Sequence, residues 1–180
     1  MDRPTLDVIF HPNLINPTFA SEVFSLLKET VIWNKQMTSR YTESFGVPYH
    51  YSGMSYDEKK MPKIIQEIAL VIAGITGYLP NNCLLNYYLD GNSKMGFHSD
   101  DTSQLADGTG VAIISLGVAR NMLFKHKHFE DITETFHLTN GALIYMNDRI
   151  QKEWLHSIPK SDTQSGRISL TFRKLIRSDH

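Results

Sequence analysis

Apolar residues recur with helical spacing in two segments of the first half of the chain. A proline follows Asn16, and the apolar positions after it predict a helix over about 17–30. From Pro62 to Ile75 the apolar residues fall on one face of a helix, and Gly77 provides its end. We expect both helices to pack as layers against the core.

After residue 80 the pattern changes to short strand-like runs separated by turn residues. The runs are CLLNYYL, GVAIISL, MLFKHKHF, TFHL, ALIYM and RISLTFR. Many short strands with frequent turn signals predict a sandwich or barrel. Residues 33–61 combine aromatic and turn residues, which favours short strands and a lid, and the polar stretches 101–109 and 160–166 are candidate flexible linkers.

Composition indicates one ordinary globular unit. With 180 residues, of which 41% are apolar, the chain can bury one hydrophobic core, and we expect a single domain over 1–180. Cys83 is the one cysteine and cannot form an internal disulfide, so we expect it in the core. No apolar run reaches the ~18 residues of a membrane helix, and the first residues do not form a secretory signal. The sequence predicts a soluble, intracellular protein.

The charge balance gives no general preference for nucleic acid. The net charge is −1 and the pI is near 6.7, so phosphate binding would have to depend on a local patch. Candidate phosphate contacts are Arg40, Lys125, Lys127 and Lys160. Each of these is also explained by an ordinary solvated surface charge.

The stretch MGFHSDD raises the question of a metal site. In a strand, side chains two residues apart point to the same side, so His98 and Asp100 can both face one ion while Ser99 faces away. By itself, His-x-Asp also fits a solvated turn. Two histidines and one carboxylate on one face of an ion leave other positions open, which suits a non-haem Fe(II) oxygenase better than structural zinc.

A third ligand has to come from elsewhere in the chain. The candidates are His126, His128, His137 and His156. His126 and His128 lie among lysines and fit an exposed basic strand or loop, while His137 fits an outward strand position. His156 lies between apolar residues, which indicates a drier setting and favours it without excluding the others.

Two arginines raise the question of an anionic cosubstrate. In RISLTFR the alternation places Arg167, Ser169 and Arg173 on one face and apolar residues on the other. Two guanidinium groups in one space are costly unless an anion meets them, and a carboxylate suits their geometry. Pairing with Asp or Glu on a solvent-facing strand is the alternative. Asn86 and Tyr88 share a face in the same way and offer hydrogen-bond donors.

Together these motifs resemble the AlkB family of Fe(II)- and 2-oxoglutarate-dependent dioxygenases, and its nucleic-acid demethylases most closely. The resemblance covers about residues 33–176 and rests on NYYLDGNSKMGFHSDD, ISLGVARNMLFKHK, NGALIYMN, WLHSIPK and RISLTFRKL. It implies a mostly β fold with flanking helices, namely a double-stranded β-helix (jelly-roll) core. It also implies that residues 33–61 supply a lid over the active site.

The resemblance implies roles for particular residues around the iron. It makes His98, Asp100 and His156 the ligands of Fe(II). It makes Arg167 the partner of the distal carboxylate of 2-oxoglutarate, helped by Tyr88.

The resemblance also implies residues that contact 2-oxoglutarate and residues that contact the methylated base of a nucleic-acid substrate. The resemblance places Asn86 and Arg173 near the iron-chelating end of 2-oxoglutarate, with Ser169 where several relatives have asparagine. Tyr51 falls where the lid carries an aromatic residue that stacks a flipped base, and Tyr49 is a second candidate for that stacking.

One departure from the family pattern concerns which methylated base the protein would accept as substrate. Demethylases of the family often carry an acidic residue two positions after the metal aspartate, and Thr102 stands there. The adjacent Asp101 is expected to point elsewhere.

The implied reaction consumes O2 and 2-oxoglutarate, hydroxylates an N-methyl group of methylated DNA or RNA, and releases succinate, CO2 and formaldehyde. The same centre acting on a protein side chain, a free nucleotide or a small metabolite is the alternative, and a non-catalytic binding module is a further one. A monomer with no membrane partner is expected, in the cytoplasm or in a eukaryotic nucleus.

Overall fold

The computed structural model describes residues 3–177. The helices are α1 (Pro17–Thr30), α2 (Lys63–Thr76) and α3 (Asp148–Glu153). The strands are β1 (Ile9–His11), β2 (Tyr41–Gly46), β3 (Tyr49–Tyr51), β4 (Met54–Tyr56), β5 (Asn82–Tyr88), β6 (Met95–His98), β7 (Val111–Gly117), β8 (Arg120–His126), β9 (Thr133–Leu138), β10 (Leu143–Met146), β11 (Trp154–Ile158) and β12 (Arg167–Arg173). Within the described range, every helix is too short or too polar to cross a membrane.

Both predicted helices are confirmed to within a residue. At the start of α1, the Asn16 side chain accepts a hydrogen bond from the Thr18 backbone N–H at 2.9 Å, which satisfies a donor that the helix itself leaves free. At the end of α2, Gly77 adopts a left-handed φ of +83°, a conformation that glycine reaches without steric cost.

The strands form two larger antiparallel sheets and a hairpin. The six-stranded sheet has the order β1-β10-β7-β12-β5-β2, and the four-stranded sheet has the order β6-β11-β8-β9. Among the described residues, strands β3 and β4 pair with each other alone. They form a hairpin within 33–61, the segment expected to act as a lid, and it is called the lid hairpin below. This mostly β arrangement with flanking helices confirms the fold class expected from the sequence.

Two apolar clusters cover the two faces of the six-stranded sheet. One lies between that sheet and the helices α1 and α2, and it includes Ile168, Leu170 and Phe172 of β12. The other lies between the two sheets and includes Phe124 and Trp154 of the smaller sheet. Because β12 is covered on both faces, its polar side chains are enclosed between the sheets.

Several local expectations need correction. The sequence does not predict β1, β11 or α3, which are short and stabilised by their neighbours rather than by a long periodic pattern. Residues 101–109 are not a flexible linker, since Leu105 is buried and the Ala106 N–H donates to the Lys174 carbonyl. Residues 160–166 are not a flexible linker either, because the Ser161 backbone N–H donates a hydrogen bond to the Gly91 carbonyl. Cys83 is fully buried, as expected.

Candidate metal centre and active site

Three predicted ligands meet between neighbouring strands of the smaller sheet. His98 on β6 is the register partner of His156 on β11, and Asp100 lies two residues after the end of β6. Asp100 Oδ1 lies 3.3 Å from His98 Nε2 and 3.6 Å from His156 Nε2. One nitrogen or oxygen atom from each residue lies within 4.8 Å of the others. This donor set of two imidazoles and one carboxylate fits an Fe(II) ion with open coordination positions.

Hydrogen bonds orient these side chains. His98 Nδ1 lies 2.9 Å from the Gly96 carbonyl, which leaves Nε2 free for a metal. The Asp100 backbone N–H donates to Gln151 Oε1 at 2.7 Å, so α3 fixes the loop that carries the carboxylate.

The charges around Asp100 keep it ionised. Burial would raise the pKa of Asp100, but hydrogen bonds from His156 and His98 and the charge of Arg173 hold that pKa well below its usual value. Burial acts to lower the pKa of His98, and the bonded Asp100 carboxylate more than offsets this, so the pKa lies above its usual value. An ionised carboxylate is the form that binds a divalent cation.

Two buried arginines of β12 line the space beside these three residues. Arg167 Nε donates to Ser115 Oγ at 2.7 Å, whereas its Nη1 and Nη2 are buried and find no hydrogen-bond partner in residues 3–177. Arg173 Nη2 lies 3.3 Å from Asp100 Oδ2, and its Nε and Nη1 are likewise without a partner in that range. Buried guanidinium donors are costly when unpaired, so this space fits a small carboxylate anion.

The neighbouring strand β5 adds the other residues expected around the anion. Asn86, Tyr88 and Ser169 line the same space as the two arginines. The Tyr88 ring lies against the Arg167 guanidinium, with 5.0 Å between the carbon Cζ and the ring centroid. Burial raises the pKa of Tyr88, so its hydroxyl stays protonated and can donate. The residues present therefore fit 2-oxoglutarate beside an iron ion.

Sequence reasoning missed Arg120, which is 1% exposed behind Tyr88. It donates to the backbone carbonyls of Asp90, Ser93 and Pro159. The Cζ atom of its guanidinium lies 5.6 Å from the centroid of the Tyr88 ring. Arg167 contacts the same ring. Its alternation with apolar residues at the start of β8 is the one sequence signal that marks an inward position.

A second cavity of about 440 Å³ opens over the metal ligands. Its walls include Tyr51 of the lid hairpin, His98 and Asp101. Asp101 therefore lines this cavity, whereas it is expected from the sequence to point elsewhere. Its carboxylate accepts a hydrogen bond from the Ser103 backbone N–H at 2.8 Å. Thr102 is half-buried beside it and does not belong to the lining.

The two lid tyrosines lie at different depths. Tyr51 is half-buried at the cavity wall, whereas Tyr49 is 3% exposed. Their rings stack with 6.2 Å between centroids, and the Arg173 guanidinium lies 5.0 Å from the Tyr49 ring centroid. Tyr49 therefore packs against both Tyr51 and Arg173, and it also contributes to the lining of the cavity.

Arg40 is not a surface charge. It is 7% exposed, and its Nε donates to Asn86 Oδ1 at 2.8 Å while Nη2 donates to the Tyr51 hydroxyl. Among the lysines, Lys127 is half-buried and donates to Ser99 Oγ and to the Gln151 carbonyl, and Lys160 is exposed.

The other three candidate ligands, His126, His128 and His137, do not belong to the metal cluster. His126 is buried against Trp154 and Phe129, which corrects its expected exposure. Its burial follows from its inward position on β8 opposite Trp154. His128 and His137 are exposed, as expected.

Comparison with known proteins agrees with this geometry. Residues 9–173 match the family described as the 2OG-Fe(II) oxygenase superfamily. The chain belongs to that superfamily. Fe(II), 2-oxoglutarate and O2, the cofactors and cosubstrates expected from the sequence, are those of this superfamily.

Relatives within this superfamily confirm the resemblance to the AlkB family. The human protein named DNA oxidative demethylase ALKBH2 is 32% identical over 139 residues, which cover 73% of this chain and 53% of that protein. The Rattus norvegicus protein named alpha-ketoglutarate-dependent dioxygenase alkB homolog 3 is 25% identical over 187 residues, which cover 92% of this chain and 63% of that protein. The chain therefore spans about half the length of its ALKBH2 relative.

A solved structure gives independent support for the fold. The structure of OsALKBH1 superposes with a TM-score of 0.69 at 14% sequence identity. The match covers 96% of this chain and 100% of that one. It confirms the jelly-roll architecture expected from the sequence.

Proposed function

We propose that this protein is an Fe(II)- and 2-oxoglutarate-dependent dioxygenase that oxidatively demethylates N-alkylated bases in DNA or RNA. The observation that carries the proposal is the cluster of His98, Asp100 and His156 beside the unpaired terminal nitrogens of Arg167. The relatives named as DNA oxidative demethylases support a nucleic-acid substrate.

In this proposal His98, Asp100 and His156 hold Fe(II) through two Nε2 atoms and one carboxylate oxygen. Bound there, Fe(II) supplies the O2-dependent oxidation that converts 2-oxoglutarate to succinate and CO2 and hydroxylates a C–H bond. The hydroxymethylated nitrogen of the base then releases formaldehyde. Gln151 keeps the loop of Asp100 in place through the 2.7 Å hydrogen bond to its backbone.

The cosubstrate lies between the two sheets. Arg167 binds the distal carboxylate through its two free terminal nitrogens, and Tyr88 donates to the same end. Arg173 and Asn86 contact the end nearer the metal, and Ser169 lies between the two arginines on β12. All of these residues are buried, so water is excluded and each charged hydrogen bond is strengthened.

The base enters the 440 Å³ cavity between Tyr51 and His98. Turning a base out of a duplex costs a few kcal/mol, and stacking on an aromatic ring recovers ~1–3 kcal/mol. Tyr51 provides that ring, and Tyr49 supports it from behind. Among the described residues, Arg40 is the one lysine or arginine that lines this cavity. Few phosphate contacts there would offset the cost of opening a duplex, so single-stranded substrates are expected to react best.

We further propose that the chain acts as a single dioxygenase domain and as a monomer, inside the cell where nucleic acids are found. Light scattering of the purified protein measures its mass against the 20.6 kDa of one chain. A stable dimer mass would contradict the monomer.

The test is a panel of DNA and RNA oligonucleotides that carry single N-methylated bases. With Fe(II) and 2-oxoglutarate we expect formaldehyde and succinate in equal amounts, and neither product without iron. The Asp100→Ala variant should form neither. Binding of the oligonucleotides should weaken steeply with salt, because phosphate contacts release counterions.

Two results would contradict the proposal in different ways. Succinate without formaldehyde from any oligonucleotide would show that the iron centre consumes 2-oxoglutarate but that these oligonucleotides are not its substrates, which favours a protein side chain, a free nucleotide or a small metabolite as the substrate. The absence of any O2-dependent CO2 release from 2-oxoglutarate would indicate a non-catalytic binding module.

A further inference from the structure

Arg120 is a buried charge without an acidic partner among residues 3–177. It is 1% exposed, none of the ion pairs in that range includes it, and its Nε is buried without a hydrogen-bond partner there. Its terminal nitrogens donate to backbone carbonyls. Burying a guanidinium away from any anion is costly, so its charge calls for an anion that the described residues do not provide.

Arg120 faces the side of the smaller sheet on which 2-oxoglutarate is proposed to bind. Arg120 and Met122 are both buried, whereas Asn121 between them is exposed, so the two buried side chains share one face of β8. Met122 lines the cosubstrate pocket, the space that Arg167 and Tyr88 also line. Arg120 is not part of that lining and therefore lies behind it.

Two hydrogen bonds of Arg120 fix a connection between two walls of this pocket. The carbonyls of Asp90 and Ser93 accept from its Nη1 at 3.2 Å and from its Nη2 at 2.8 Å. Both carbonyls lie in the connection from β5, which ends at Tyr88, to β6, which begins at Met95. Tyr88 and Met95 line the cosubstrate pocket. Arg120 thus holds the segment that joins these two lining residues.

A third hydrogen bond reaches the strand that carries His156. Pro159 directly follows β11, and its carbonyl accepts from Arg120 Nη2 at 2.6 Å. The preceding Ile158 lines the cosubstrate pocket and is the register partner of Met95. One guanidinium therefore ties together the neighbouring strands β6 and β11 where they border the pocket.

The Tyr88 ring lies against two guanidinium groups. The distance from its centroid to Cζ is 5.6 Å for Arg120 and 5.0 Å for Arg167. A guanidinium is attracted to an aromatic ring, so Arg120 helps to fix the phenol whose hydroxyl is proposed to donate to the cosubstrate. Burial lowers the pKa of Arg167, and the charge of Arg120 adds to this. A carboxylate bound at Arg167 would relieve the repulsion, since both charges attract it.

Resting on the proposed dioxygenase reaction, we propose that Arg120 is a positioning residue for 2-oxoglutarate. It holds Tyr88 toward the distal carboxylate and places a second positive charge behind the ring. Arg167 makes the direct contact to that carboxylate, and Arg120 acts through Tyr88 and through its charge. Arg120 thereby increases the preference of the site for a 2-oxo diacid over a 2-oxo acid that lacks the second carboxylate.

The experiment measures binding without turnover, with Mn²⁺ in place of Fe(II). Isothermal titration calorimetry of the full chain gives the Kd for 2-oxoglutarate and for 2-oxopentanoate, which has a methyl group in place of the distal carboxylate. The ratio of the two Kd values is the diacid preference. Arg120→Gln should lower this preference by about fivefold, less than the loss of a direct charge partner would. A merely structural role would weaken both ligands alike and leave the preference unchanged.

Further variants test the role of the charge and of Tyr88. Arg120→Met, a second neutral variant, should give the same loss, whereas Arg120→Lys keeps the charge and should stay within about twofold of the wild-type preference. In a Tyr88→Phe background, Arg120→Gln should lower the preference less than it does in the wild type, because the hydroxyl that Arg120 positions is already absent. Lys94→Gln removes an exposed cation next to Ser93 and should change nothing.

The rise in melting temperature with Mn²⁺ reports that each variant is folded with an intact metal site. An unchanged diacid preference in a neutral Arg120 variant that keeps this rise would overturn the inference. The same loss with and without the Tyr88 hydroxyl would overturn the positioning of Tyr88. Failure of every oligonucleotide in the demethylation panel would contradict the proposed function and not this inference. A wild-type protein that does not bind 2-oxoglutarate would contradict both.

Discussion

His98 and His156 are register partners on neighbouring antiparallel strands, and their ring centroids lie 4.3 Å apart. Strand pairing therefore brings the two imidazoles together through the backbone. Asp100 lies two residues beyond the end of β6, and its backbone N–H donates a hydrogen bond to Gln151. A centre assembled in this way binds a metal with little loss of conformational freedom, since its ligands are already ordered.

Replacing Asp100 by alanine should abolish metal binding as well as turnover. Mn²⁺, which binds similar oxygen and nitrogen donors, should raise the melting temperature of the wild-type protein, because it binds the folded state alone. This rise should be lost in Asp100→Ala. Thermal melts with and without Mn²⁺ measure it. Asp107→Ala, in the same loop but exposed, should keep the full rise, and an equal rise in Asp100→Ala would remove that carboxylate from the metal site.

Replacing Arg167 by alanine should raise the KM for 2-oxoglutarate. Loss of a buried charge partner costs roughly 2 kcal/mol or more, which corresponds to an increase of about 30-fold. The kcat at saturating 2-oxoglutarate should fall much less. Initial rates of succinate formation separate the two constants. Arg177→Ala removes an exposed guanidinium paired with Glu58 and serves as the control. A KM within twofold of wild type would contradict the assignment of Arg167.

The periodic patterns in the sequence predict much of this site, because alternation along a strand fixes which side chains share a face. The prediction for β12 is correct, since Arg167 and Arg173 line the space between the sheets while Ile168 and Phe172 pack toward the helices. The His98 and Asp100 pair follows from the same rule.

Burial of isolated charges could not be predicted in this way. Arg40 is stabilised by Asn86 and Tyr51, and those contacts arise from pairing of β2 with β5 and from the lid hairpin. Arg120 is stabilised by three carbonyls that come from two distant loops. A local sequence pattern carries no information about such partners, so the sequence does not show how either buried charge is stabilised.

Gln104 should fix the position of the lid. Its Nε2 donates to the His50 carbonyl at 3.2 Å, and its Oε1 accepts from the His50 N–H at 3.4 Å, so one side chain pairs with the backbone of β3. Gln104→Ala should raise the KM for the oligonucleotide severalfold with the KM for 2-oxoglutarate unchanged, because only the lid loses support. Steady-state kinetics test this.

Two controls accompany the Gln104 measurement. His50→Ala keeps the backbone groups that Gln104 contacts, so it should retain the position of the lid. Faster proteolysis at the hairpin turn of Ser52 and Gly53 should appear in Gln104→Ala and not in Gln66→Ala, an exposed glutamine on α2. Equal KM values and equal proteolysis in wild type and Gln104→Ala would show that the lid does not depend on this contact.

Arg120 should contribute strongly to stability. Its guanidinium donates to the carbonyls of Asp90, Ser93 and Pro159, and methionine would fill similar space without any donor. Because carbonyls would lose their partners inside the protein, Arg120→Met should lower the free energy of unfolding by about 2–4 kcal/mol. Urea denaturation measures this loss, and Lys160→Met, at an exposed position, should change the free energy by less than about 0.5 kcal/mol. A comparably small change in Arg120→Met would mean that water replaces the guanidinium at these carbonyls without cost.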